Sequence, residues 1–265
     1  MTAPNNPGKP MEGSLPLLSK TFELYREHFK KLIGYAAWIL VPYAFYLLFI
    51  IINPDLIQAF MMEDAEAMAQ ISGIWWLLMA VYVIAAMVIS IWVTVALFQY
   101  VDKASKKEKV NDKKIKENSW KLIVPLLWVA ILSTLIIVAG LFVLVIPGLI
   151  FAIYLAYAEI SVALDNKRGT KALGYSYELI KGRFWKTLWR LIVGPVIMML
   201  LYLLVVGVLA AIVMGINAAM GGSLDAPTLT SVMLLDVIDQ VLGVVFMPLF
   251  LVYMVYLYHN AKATR

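Results

Sequence analysis

Four ionisable side chains interrupt long apolar stretches of this chain: Glu159, Arg190, Asp236 and Asp239. A charge in hydrocarbon is costly, so each must face a partner, a hydrated cavity or an interface. Glu159 lies six residues before Asp165, which at a rise of ~1.5 Å per residue places it ~9 Å inside the boundary that Asp165 marks. Arg190 follows Lys186 by four residues, about one turn into the next stretch. Similar depths predict an ion pair between Glu159 and Arg190 that locks two helical hairpins together. Asp236 and Asp239 are three residues apart and share a helix face. No Lys or Arg occurs on their side of the chain, so they must rely on water, a helix N-terminus, protonation or a bound cation. The expected place for both is a water-facing outer edge, because 241–255 offers no charged or amide side chain to continue a polar path inward.

Other chemistry is sparse. The chain has no cysteine, which removes disulfides, thiolate catalysis and Cys-ligated metals. His28 and His259 are too isolated in sequence for a metal-ligand motif. Phosphate-binding glycine loops, nucleophile elbows and HExxH patterns are all missing. Neither an enzyme nor a resident cofactor is expected.

The elements that must carry these residues follow from composition. Of 265 residues, 63% are apolar and 15% charged, against about half and a quarter in soluble domains. Six runs are long enough to cross a bilayer, or nearly so: 32–52, 73–101, 122–146, 149–164, 191–216 and 232–258. All 22 Lys and Arg residues fall in four stretches, up to Lys31, from Lys103 to Lys121, from Lys167 to Arg190, and at Lys262 and Arg265. The connections between them carry acids or no charge. Because short basic loops stay on the cytoplasmic side, both termini are expected there. The fold class is all-α: a polytopic bundle of six transmembrane helices with cytoplasmic interfacial helices. It forms one integral membrane domain, 14–265, behind a disordered tail, 1–13. The first 31 residues lack the apolar core of a cleavable signal.

Amphipathic pieces flank the spans. In 15–31, Leu18, Phe22, Tyr25 and Phe29 recur at helical spacing, continued by Leu32, and a second such piece covers 170–184. Such helices lie in the headgroup plane. Aromatic-plus-lysine lead-ins precede the odd spans at Phe29-Lys30-Lys31, Trp120-Lys121 and Trp185-Lys186. Lys181, Arg183 and Lys186, interleaved with Phe184 and Trp185, form a belt suited to anionic headgroups. The pI of about 9.2 is thereby explained by a membrane surface, with no nucleic acid. Pro147-Gly148 is read as a tight outer turn between spans 3 and 4. Gly207, Ala211 and Gly215, and likewise Ala86, Ser90 and Thr94, are small-residue stripes that permit close helix approach.

From Ile146 onward the residues resemble a known family. Ile146-Pro147-Gly148, Leu164-Asp165, Ala172-Leu173, Ser176, Leu179, Lys181-Gly182, Phe184-Trp185, Pro248-Leu249 and Tyr256-Leu257-Tyr258 are similar to the membrane domain associated with glycerophosphoryl diester phosphodiesterases and its related uncharacterised bacterial membrane proteins. The resemblance implies a six-helix protein of a prokaryotic inner membrane. It implies no activity, since in those phosphodiesterases the chemistry belongs to a separate soluble barrel. His259-Asn260 stands where the family more usually has an acidic residue. The expected function is non-enzymatic organisation of lipid, a partner membrane protein or a second copy of the chain. The alternative is a small-solute or cation permease using the intramembrane carboxylates.

Overall fold

In hydrocarbon, a chain satisfies its backbone polar groups only as helices or closed barrels, and runs this long and apolar favour helices. The computed structural model describes residues 11–52, 73–222 and 228–264, and every regular element among them is helical. In chain order these are α1 (Ser14–Glu27), α2 (Phe29–Ala36), a 3-10 turn (Ala37–Ile39), α3 (Leu40–Ile52), α4 (Gly73–Ser105) and α5 (Asp112–Val143). They continue as α6 (Val145–Tyr154), α7 (Ala158–Asp165), α8 (Thr170–Ile180), α9 (Phe184–Ala219) and α10 (Leu229–Ala263). Six stretches are long and apolar enough to cross a membrane: Phe29–Phe49, Gly73–Ser105, Asp112–Val143, Val145–Asp165, Phe184–Ala219 and Thr230–Ala263. The protein is a multi-pass membrane protein. The acidic connection 53–72 lies outside the described residues.

Local signals set the boundaries. The Asn111 side chain accepts from the Lys114 N–H at 3.1 Å and caps α5, as Thr228 caps α10 through the Ser231 N–H. Pro42 has no N–H to give the preceding turn, and the 3-10 segment Ala37–Ile39 sits just before it. Gly182, at φ 78°, follows the end of α8.

Pro147-Gly148 is not the turn. Both residues lie in the first turns of α6, where proline is tolerated. The reversal is made by the single extended residue Leu144, φ −162° and ψ 150°. What Gly148 provides is closeness: a Cβ there would lie 2.5 Å from the Leu141 side chain and 2.8 Å from the Leu141 backbone nitrogen. Gly140 meets Gly148 in the same way, at 2.9 Å from its Cα. The hairpin tip, Phe142, Val143, Leu144, Val145 and Ile146, is exposed and wholly apolar.

The core is not spread evenly along the spans. In α4 the buried residues run from Trp92 to Ala104, with none before. In α10, most are at or beyond Leu249. The largest fully buried side chains, among them Tyr157, Tyr253 and Tyr258, sit at the end of the bundle that carries the described termini and the lysine-rich connections, hereafter the basic end. There Trp92 marks a level: its ring lies 5.9 Å from Trp38 and 5.8 Å from Trp120. Helix α4 continues to Ser105, about 20 Å beyond this tryptophan layer.

Candidate functional site

The basic end is knotted by polar pairs that join helices distant in sequence. Asp102 accepts from His259 Nε2 at 2.8 Å and pairs with Lys106. Asp165 holds Lys262 at 2.5 Å and accepts from the Tyr258 hydroxyl. Asp112 holds Lys31 at 2.5 Å and accepts from Tyr35 at 3.0 Å. Each acid thus ties one span to another. The two histidines belong to this system: His28 Nδ1 meets the Tyr100 hydroxyl at 2.9 Å, and His259 serves Asp102. Among the described residues no group of three or more His, Asp and Glu could hold a metal.

Helix α1 lies across α10 with α9 beside it, and His28, just past its end, meets Tyr100 of α4. Leu17, Leu18, Thr21 and Leu24 form its buried face, whereas Phe22 and Phe29, assigned by periodicity to the same face as Leu18, are exposed. The Tyr25 hydroxyl donates to the Val245 carbonyl at 2.7 Å, where Pro248 loosens the α10 ladder. Burial pushes this phenol up to about 12. Residues 11–13, expected to be part of a disordered tail, are held. Glu12 exchanges hydrogen bonds with Asn260, N–H to Oδ1 at 3.1 Å and Nδ2 to the Glu12 carbonyl at 3.2 Å.

The predicted Glu159–Arg190 ion pair does not form. Arg190 donates instead to three carbonyls, those of Met11 (2.9 Å), Glu12 (2.6 Å) and Lys186 (2.6 Å). Depth alone placed the two residues together; the chain segment before α1, whose carbonyls have no helical partner, outcompetes the acid. Glu159 sits beyond a break in span 4, at Leu155–Tyr157, that sequence reasoning missed. Ser176 of α8 closes that break, accepting from the Tyr157 N–H at 3.0 Å and donating to the Tyr154 carbonyl at 2.7 Å. Its hydroxyl thereby replaces one turn of backbone bonding, which explains a polar residue buried on α8.

The headgroup belt is only partly free. Lys181, Trp185, Lys186, Trp120 and Lys121 are exposed. Arg183, however, donates to the Ala261 carbonyl and to Thr264, and Phe184 packs 5.4 Å from the Tyr154 ring. Arg183 thus anchors the end of α10, and Phe184 packs against span 4.

Asp236 and Asp239 are exposed but do not stand at an outer rim. Asp236 accepts from Tyr43 at 2.6 Å, and Tyr43 is one residue past the midpoint of the apolar run 32–52. Asp239 accepts from Tyr202, eleven residues into 191–216. The two carboxylates therefore point to different neighbours, spans 1 and 5, from the middle of those helices' apolar length. Tyr43, Tyr46 and Tyr82 form a ring ladder, with centroids 5.9 and 5.7 Å apart. Beside it, spans 1 and 2 leave an open groove of about 350 Å³ lined almost wholly by apolar and aromatic groups, including Tyr46, Phe49, Trp75 and Tyr82. The glycines of the Gly207 stripe meet nothing within 4 Å.

Compared with protein-family models, curated proteins and solved structures, the chain matches none.

Proposed function

We propose that this chain is a non-enzymatic component of a prokaryotic cytoplasmic membrane, with both termini in the cytoplasm, that organises lipid or a partner membrane protein. The observation that carries this reading is the collar at the basic end. There α1 is held across the spans by Arg190, Asn260 and Tyr25, while Lys121, Lys181, Lys186, Trp120 and Trp185 stay exposed around it. Exposed ammonium groups beside exposed indoles suit anionic phosphates above and acyl chains below. Segregation of Lys and Arg supports the cytoplasmic placement. The resemblance of 146–260 to the membrane domain associated with glycerophosphoryl diester phosphodiesterases supports the prokaryotic membrane.

The test is stability in lipid nanodiscs made with zwitterionic lipid alone or with added phosphatidylglycerol. Anionic lipid should raise the thermal midpoint, and Lys181→Glu with Lys186→Glu should remove most of the rise. A midpoint indifferent to anionic lipid would sink the collar reading. The permease reading has one observation in its favour, the tyrosine-bonded carboxylates within spans. Cation flux into liposomes, lost on Asp236→Asn with Asp239→Asn, would establish it instead.

A further inference from the structure

A cleft opens at the basic end between the starts of spans 1 and 3. It is lined by Lys30, Lys31, Gly34 and Tyr35 of α2 and by Asp112 and Lys116 of α5, around a volume of about 180 Å³. Both helices pack on α4, and Asp112 ties them together by holding Lys31 and the Tyr35 hydroxyl. A Cβ on Gly34 would meet nothing within 4 Å, so the space between the helices is open. Asp112 balances Lys31. Among the described residues Lys30 and Lys116 are in no ion pair, and both are exposed, so the cleft carries two uncompensated ammonium groups. About one turn further into each span stands an exposed tryptophan, Trp38 after Gly34 and Trp120 after Lys116. Trp92 of α4 joins the two walls: it donates to the Lys116 carbonyl at 3.3 Å, and its ring lies 5.9 Å from Trp38 and 5.8 Å from Trp120.

We propose that this cleft holds one phosphatidylglycerol-type lipid, its phosphate between Lys30 and Lys116 and its acyl chains leaving past Trp38 and Trp120. A phosphodiester has two non-bridging oxygens, one for each free ammonium, and lysine binds phosphate as a point charge. Indoles one turn below that phosphate stand where tryptophan sits in bilayers, at the boundary between headgroup and chain. A soluble phosphate would leave them without a role. The headgroup follows from Asp112. An ionised carboxylate has about four acceptor positions, of which Lys31 and Tyr35 take two, leaving room for a glycerol hydroxyl. An ethanolamine headgroup would instead bring a further positive charge among Lys30, Lys31 and Lys116. This inference rests on the reading of the basic end as a surface that faces anionic lipid, and adds to it a discrete site for one molecule.

The experiment is native mass spectrometry of the purified full chain in detergent, titrated with phosphatidylglycerol or with phosphatidylethanolamine. One phosphatidylglycerol should bind ahead of all others, and phosphatidylethanolamine should show no such first site. Lys30→Gln with Lys116→Gln should weaken the first binding about twenty-fivefold, roughly a factor of five for each lysine. Lys181→Glu with Lys186→Glu, on other helices, should leave it within about twofold at the ionic strength used. Gly34→Leu, which fills the cleft with a better helix former and keeps every charge, should weaken it comparably to the glutamine pair, whether or not that pair folds. Inorganic phosphate in excess should not displace the lipid. No preference for phosphatidylglycerol, a glutamine pair that binds as the parent does, a folded Gly34→Leu protein with undiminished affinity, or displacement by inorganic phosphate would each overturn the assignment. Stabilisation by phosphatidylglycerol in nanodiscs without a first bound lipid would leave the collar standing and remove the cleft site.

Discussion

Replacing Arg190 by Ala tests the central correction the structure makes to the sequence reading. Three donors are lost together, to the carbonyls of Met11, Glu12 and Lys186 at 2.9, 2.6 and 2.6 Å. Hydrogen bonds from a charged group contribute ~1.5–3 kcal/mol each when well buried. Arg190 is half-buried, and the freed carbonyls can take water, so about 1 kcal/mol apiece is the reasonable scale, ~3 kcal/mol in all. Removal of the guanidinium should also loosen the segment before α1, because Asn260 and the half-exposed Lys20 ion pair then hold Glu12 without it. The assay is a double-mutant cycle by thermal or denaturant unfolding in one detergent, with limited proteolysis of the N-terminal segment alongside. Coupling between Arg190→Ala and Asn260→Ala should reach ~1 kcal/mol, since they share a partner. Coupling between Arg190→Ala and Glu159→Gln should be within ~0.3 kcal/mol of zero. Strong coupling to Glu159, or an Arg190→Ala protein as stable and as protease-resistant as the parent, would refute the clamp.

Two further outcomes follow from glycine packing and from topology. Gly148→Ala should destabilise the protein by ~2 kcal/mol or more, through overpacking against the Leu141 backbone. Gly207→Ala, with nothing within 4 Å, should be neutral or stabilise slightly in unfolding measurements; equal effects would contradict the hairpin geometry. Single cysteines introduced at Asp64 and Ala226 should react with an impermeant thiol reagent applied outside intact cells, and those at Lys109 and Gly169 only after lysis. A cysteine at Phe142, in the apolar hairpin tip, should react more slowly than either outer site. Inversion of one loop would break the six-span arrangement.

Span number, the multi-pass class and the existence of α1 and α8 were legible because apolar length and helical periodicity are local properties of sequence. Partner choice was not. The acids Asp102, Asp112 and Asp165 read as loop or end charges, yet each joins two spans, a fact that depends on helix rotation and neighbour order. The Pro147-Gly148 pair was recognised as special for the wrong reason. Glycine at a hairpin can serve φ or proximity, and only the positions of Gly140 and Leu141 decide for proximity.

Depth misled most. The lack of a charged or amide side chain over 241–255 put Asp236 at a water-facing edge. Where that edge lies depends on the register of the neighbouring helices. Trp92 meets Trp38 and Trp120 thirteen residues before α4 ends, and the Asp102–His259 contact fixes α10 to α4 in register. By that register the tryptophan layer crosses α10 ten residues before His259, near Leu249. The last fourteen residues or so of α10 then belong with the buried, ion-paired body at the basic end rather than with the apolar layer. Asp236 lies thirteen residues on the far side of Leu249, about 20 Å from the tryptophan layer. An apolar layer is ~30 Å thick, so this carboxylate is inside it, reached by the hydroxyl of Tyr43, which lies five residues past Trp38 on span 1. A group so placed needs a partner in a way that a rim aspartate does not, and the Tyr43 hydroxyl supplies one.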